Sequence, residues 1–133
     1  MNRSQEREQA FVILFEKAFN PDVTVEELSE MAVDSGFVSP SEFTKNLMAL
    51  TEDNIKDIDG KIAEYAIGWS LDRMPKVSLS ILRIAVCEML YMDDVPVSVS
   101  INEAVNLAKK YAGKEDGKYI NGVLGSVARS VEK

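Results

Sequence analysis

The chain has 133 residues, 46% of them apolar, and a formal net charge of −7, which suits one hydrophobic core and one domain over 1–133. The longest nearly apolar run, Ile81 to Met92, is interrupted by Arg83 and Glu88 and falls short of the ~20 residues a bilayer span needs. The charged start Met1 to Arg7 leads into no apolar leader, so the sequence reads as cytoplasmic, with no membrane partner.

Helical spacing of apolar residues runs through nearly the whole chain. A first helix is predicted from about Ser4 to Phe19, with Phe11, Leu14, Phe15 and Ala18 inward and Asn20-Pro21 as its stop. Thr24-Val25-Glu26-Glu27 spells a capping box, a hydroxyl capping the helix start while a carboxylate three residues on reaches back. That second helix ends at Gly36. Ser39-Pro40-Ser41-Glu42 repeats the device, with proline in the first helical position, where its missing N–H does no harm. A long third helix carries Phe43, Leu47, Leu50 and Ile55. The pattern continues through Ile58, Ile62, Tyr65, Ala66 and Trp69, with a break placed near Gly60. Trp69 to Pro75 reads as a turn and a short helix. Ser78 to Met92 is apolar almost all round and is expected to be the central, most buried helix. Asp93-Asp94-Val95-Pro96 is a loop. Ile101, Ala104, Val105, Ala108 and Tyr111 line one face of the next helix, which Gly113 ends. Asp116 is placed as the cap of a last helix with Ile120, Val123, Leu124, Val127 and Val131 inward. The expected fold is all-α, a compact helical domain of about six to seven helices.

Catalytic constellations are absent. One cysteine and no histidine exclude an intrachain disulfide and remove the usual general base and commonest metal ligand. Cys87, inside an apolar run, reads as a small core residue. Glu26, Glu27 and Glu30 fall at a helix start that favours negative charge, and Asp93 and Asp94 have no further ligands near them in sequence. No phosphate loop or dinucleotide fingerprint appears. No cofactor and no metal are expected, and the chain does not read as an enzyme.

The charge is uneven. Residues 20–72 hold twelve acids against three bases, net −9, whereas residues 109–133 hold six bases against three acids, net +3. A local basic face on an acidic body is therefore open. Two features stand out. Arg3 and Arg7 lie four residues apart near a helix start, where positive charge opposes the dipole, and they share a helical face. Lys114, Lys118 and Tyr119 gather at the start of the last helix, whose free N–H groups suit phosphate and whose aromatic suits an unstacked base. Within that helix Gly122 and Gly125 each cost about 1 kcal/mol relative to Ala; close packing against another helix is the expected compensation, with approach of a ligand as the other reading.

Four segments carry a resemblance. They are Ile81-Leu82-Arg83-Ile84-Ala85-Val86-Cys87-Glu88-Met89-Leu90, Asp94 to Val105 (DVPVSVSINEAV), Ala108-Lys109-Lys110-Tyr111, and Lys118-Tyr119-Ile120-Asn121-Gly122-Val123-Leu124-Gly125. In order and spacing they resemble the C-terminal half of the NusB family. Arg7 to Phe11, Ile58 to Trp69, and Arg73 extend the likeness over essentially the whole chain. The resemblance implies two packed three-helix subdomains and a transcription antitermination factor. It implies pairing with NusE, which is also a small-subunit ribosomal protein, and binding of the single-stranded boxA element of nascent RNA, notably in ribosomal RNA operons. That assembly acts on RNA polymerase, and a homodimer is a further state the resemblance allows. It implies RNA-binding roles for Arg3, Arg7, Lys118 and Tyr119, to which Lys114 is added from its place at the helix start, with Ser4 standing where relatives often carry another arginine. It places the partner face around Trp69 to Arg83, with Arg73, Ser78 and Arg83 as candidates and Ser78 where some relatives carry an acid. Arg83 has a second reading, as an arginine paired to a carboxylate inside the domain. Asn102, Glu103 and Asn121 are read as structural hydrogen-bonding groups.

Two alternatives stand beside this one. A NusB-like domain also begins some ribosomal RNA cytosine methyltransferases, but this chain ends within ten residues of Gly125 and leaves no room for a methyl-donor domain. A helical protein–protein adaptor that has lost most RNA binding is the other, favoured by Ser4 and the acidic total.

Overall fold

Seven α-helices and one short 3-10 turn make up the computed structural model, which describes residues 2–36 and 40–131 and holds no strand among them. Helix α1 (Arg3–Phe19) starts one residue before the expected Ser4, at a full capping box that the sequence reading does not include. The Asn2 side chain accepts the Gln5 N–H at 2.9 Å, and the Asn2 N–H donates to Gln5 Oε1 at 2.9 Å. Helix α2 (Val25–Asp34) has half the predicted box: Thr24 Oγ1 accepts the Glu27 N–H at 3.0 Å, and Glu27 itself is exposed.

Helix α3 (Glu42–Asp53) is capped by Ser41, whose Oγ accepts the Thr44 N–H at 3.1 Å. Pro40 therefore precedes the cap instead of opening the helix, and Ser39 lies outside the described residues. The same Ser41 hydroxyl donates to Glu6 Oε2 at 2.9 Å and Thr44 Oγ1 donates to the Glu6 carbonyl at 3.0 Å. These bonds seat the start of α3 on α1 and explain why the cap falls at Ser41.

The predicted long third helix breaks at Asn54, not near Gly60. Asn54 adopts φ −120°, ψ 23°, and its side-chain amide donates to the Leu50 carbonyl at 2.9 Å. A side chain that takes a backbone acceptor in this way competes with helix propagation. Helix α4 (Ile55–Tyr65) then runs straight through Gly60, and Trp69 falls in the loop that follows. A 3-10 turn (Leu71–Arg73) leads into α5 (Lys76–Tyr91), and α6 (Val97–Tyr111) and α7 (Lys114–Ser130) complete the chain.

Helix α5 is the axle. Every residue from Ser78 to Met89 except Arg83 is buried, and α5 packs against α1, α3, α4, α6 and α7. One helix trio, α1 to α3, lies N-terminal to it. On its C-terminal side α6 and α7 pack most extensively on each other, and α4 joins them through α5 and α7. The two groups foreseen are thus present, with a fourth helix in the second. Phe11, Leu47, Ile58, Ile62, Ile81, Leu82, Ile120 and Leu124 are completely buried in one continuous core, each worth about 1.5–3 kcal/mol of transfer free energy. Cys87 is at its centre, and burial pushes its thiol up to about 11. No helix among the described residues is long and apolar enough to cross a membrane.

Candidate nucleic-acid interface

The two candidate basic regions have different environments. Arg7 is only 4% exposed. Its Nε donates to Glu88 Oε2 at 2.8 Å across α1 and α5, and Ser100 Oγ on α6 donates to Glu88 Oε1 at 2.9 Å. Arg7 is a pillar of the core, so the exposed Arg3–Arg7 face expected from the spacing is not formed. The physical reason is that a buried carboxylate at position 88 demands a charged partner, which the spacing of the two arginines does not disclose. Arg3 remains at the surface. It pairs with Glu6 at 3.0 Å, and its guanidinium carbon lies 4.1 Å from the Phe43 ring centroid. Ser4 donates to Glu103 at 2.7 Å, tying α1 to α6.

The start of α7 is open. Gly113, at φ +130°, ends α6, its N–H donating to the Ala108 carbonyl at 2.7 Å, and it occupies the N-cap of α7 with no side chain to offer. Asp116 is not the cap. It lies inside the first turn beside Glu115, where a carboxylate favours the dipole without covering the first N–H groups. Lys114 and Lys118 are exposed, Lys118 reaching Glu115 at 3.5 Å. Tyr119 is half-buried with its ring centroid 5.9 Å from that of Trp69 and tilted by 59°. Burial raises the Tyr119 phenol above its ordinary range, and its hydroxyl has no hydrogen-bond partner among the described residues.

Trp69, which the resemblance puts at the edge of the partner face, stands beside Tyr119. A helix continuing past Tyr65 would have turned it inward. Instead α4 stops, Gly68 takes φ +86°, and Trp69 comes round to Tyr119 with 48% of its surface exposed. Gly68 next to an aromatic was the available signal. Ile67 beside it is 87% exposed.

The glycines of α7 also differ from expectation. Gly122 is exposed, and a Cβ there would meet nothing within 4 Å; at Gly125 it would meet only Arg129 Nη1, at 3.6 Å. Helix packing therefore does not account for either. Gly117 is the glycine that faces a neighbour, and even there a methyl would reach Ala108 and Val105 at an ordinary 3.9 Å. Asn121 and Asn102 are exposed, not structural bridges.

Of the partner-side candidates, Arg73 is exposed on the 3-10 turn and lines a cavity of about 650 Å³ with Gly68, Trp69, Ser70 and Asp72. Ser78 is 2% exposed and its hydroxyl is buried without a hydrogen-bond partner, so it presents nothing to a partner surface. Arg83 follows its second reading: its Nε and Nη2 each bind one oxygen of Asp59 at 2.8 Å, clamping α5 to α4. Among the described residues no group of three His, Cys, Asp or Glu side chains is placed to hold a metal ion.

The NusB family profile matches residues 4–129. The transcription antitermination protein NusB of Natranaerobius thermophilus is 39% identical over 137 aligned positions, covering 100% of this chain and 99% of the relative. The chain belongs to the NusB family. It is thereby a transcription antitermination factor of that family and not an enzyme. Solved NusB structures have the same fold. Thermotoga maritima NusB superposes with a TM-score of 0.88 at 29% identity, covering 100% of this chain and 94% of that one. The antitermination factors NusB and NusE, solved in complex with double-stranded RNA, provide a second match, with a TM-score of 0.85 at 27% identity, covering 98% and 99%.

Proposed function

We propose that residues 1–133 act as one RNA-binding domain that pairs with NusE and holds the single-stranded boxA element of nascent RNA, notably from ribosomal RNA operons. The pair then joins the antitermination assembly on RNA polymerase in the cytoplasm. The observation that carries this reading is the Trp69–Tyr119 pair beside Lys114 and Lys118. The exposed Trp69 and half-buried Tyr119 offer a face to an unstacked base, and the two ammonium groups with the uncapped start of α7 offer a path for phosphate. The family relationship to a NusB solved with NusE and RNA supports the partner assignment. Arg73 lines the same cavity as Trp69 and is the remaining candidate for the NusE side.

An anisotropy titration tests the reading. The chain mixed with NusE is expected to bind boxA-like RNA more tightly than a scrambled RNA of the same composition. Tyr119→Ala and Trp69→Ala are expected to weaken binding of the boxA-like RNA while NusE still copurifies. Equal binding of both RNAs would favour the adaptor reading, which draws on the withdrawal of Arg7 into the core and of Arg3 onto Glu6 and Phe43. Sedimentation with and without RNA reads whether a homodimer competes with the complex.

A further inference from the structure

Lys114, Lys118, Gly122, Gly125 and Arg129 recur at spacings of four, four, three and four, so they form one stripe along α7. The stripe spans about 22 Å at the rise of an α-helix. Its three cations are exposed, Gly122 is exposed, and Gly125 is partly so. Each glycine weakens the helix by about 1 kcal/mol, and no packing contact explains the loss. The geometry at Gly125 explains part of it. The Arg129 side chain folds back along the helix, its Nη1 3.6 Å from where a Cβ on residue 125 would stand and its Nη2 donating to Ser126 Oγ at 3.1 Å. The bare backbone at 125 is thus a seat for the guanidinium, which is drawn one turn toward Gly122 and Lys118. No carboxylate among the described residues pairs with Arg129 or Lys114.

We infer that this stripe is a track for the sugar–phosphate backbone of single-stranded RNA leaving the Trp69–Tyr119 platform, with Arg129 as its far phosphate contact and Gly122 the point of closest backbone approach. The inference rests on the RNA-binding reading above and extends it by a length of RNA and three residues that reading does not use, Gly122, Gly125 and Arg129. The charge favours RNA as the occupant: these cations stand out from a chain of net charge −7, and phosphate, unlike a base edge, needs no side chain at Gly122 to recognise it.

The test compares a short boxA-like RNA with the same RNA lengthened at either end, titrated into the full chain with NusE over a range of salt. Lengthening at one end is expected to tighten binding and steepen the salt dependence, by about 0.7 in slope for each added phosphate contact. Arg129→Ala and Gly125→Glu are expected to remove that gain several-fold and leave the short RNA bound as before. Both variants should melt no lower than the parent, since each replaces a residue with one at least as compatible with a helix. If the short RNA binds and lengthening adds nothing, or the variants keep the full gain, the track is wrong while the platform stands. If neither RNA binds, both fall. If a polyglutamate peptide displaces the RNA extension at matched charge, the stripe belongs to an acidic protein instead.

Discussion

Arg7 and Lys118 were candidates for one task, and the fold treats them as opposites. Arg7 is enclosed with Glu88 between α1, α5 and α6, both side chains at most 5% exposed. Lys118 is 67% exposed at the open end of α7 with one loose carboxylate neighbour. A guanidinium in the first place holds helices together; an ammonium in the second place is available to a polyanion. The difference teaches that the charge on a residue says little until its counter-charge is located, and for Arg7 that counter-charge lies 81 residues away.

The largest expected effect breaks the first half of this contrast. Arg7→Ala leaves Glu88 buried without its cation and is expected to cost about 3–5 kcal/mol, read as a lower midpoint in urea. The Cys87 thiol, next to Glu88 and unreactive in the intact core, should then become accessible to a thiol reagent. Arg7→Met combined with Glu88→Leu is expected to recover most of the loss, because no charge is left stranded. A variant Arg7→Ala of unchanged stability with weakened RNA binding would return Arg7 to the surface.

Next come the aromatic residues. Trp69→Ala and Tyr119→Ala are each expected to weaken RNA binding by about 1–3 kcal/mol, the usual worth of one stacked base, with NusE binding unaffected. Lys118→Ala should act more gently and differently: affinity falls for all sequences alike, and the salt slope flattens by about 0.7. A sequence-dependent loss at Lys118 would mean that it reads a base. The smallest effect sharpens the contrast within α7 itself. Gly122→Ala, with open space around the added methyl, should raise stability by about 1 kcal/mol, seen as a higher melting temperature, while weakening the grip on RNA if the backbone is approached there.

Much of the fold could be read from the chain because apolar spacing is a local signal. Ser78 to Met92, apolar on all sides, could only be central, and α5 is. Caps were less legible where tertiary contacts fix them: Ser41 caps α3 with Glu6 and Thr44 beside it. The break at Asn54 depended on one amide taking the Leu50 carbonyl, a choice that apolar spacing does not encode. At the site, Lys114, Lys118 and Tyr119 were legible as a basic and aromatic cluster at a helix start. Trp69 was not, because a continuing period made it look like core and only the turn at Gly68 brings it to Tyr119. Local sequence does not settle Arg7, Ser78 or Arg83 for the same reason: pairing and burial across distant helices decide them.

Because α5 touches five other helices and supplies the hydrophobic wall for both ends of the molecule, neither end has a core without it. Unfolding should then be all-or-none, and the amide protons of α5 should exchange with solvent only when the entire chain opens, at the slowest rate in the protein. A cut in the 66–75 connection would strand α1 to α4 without the surface they fold upon, so the two fragments should become ordered only when mixed.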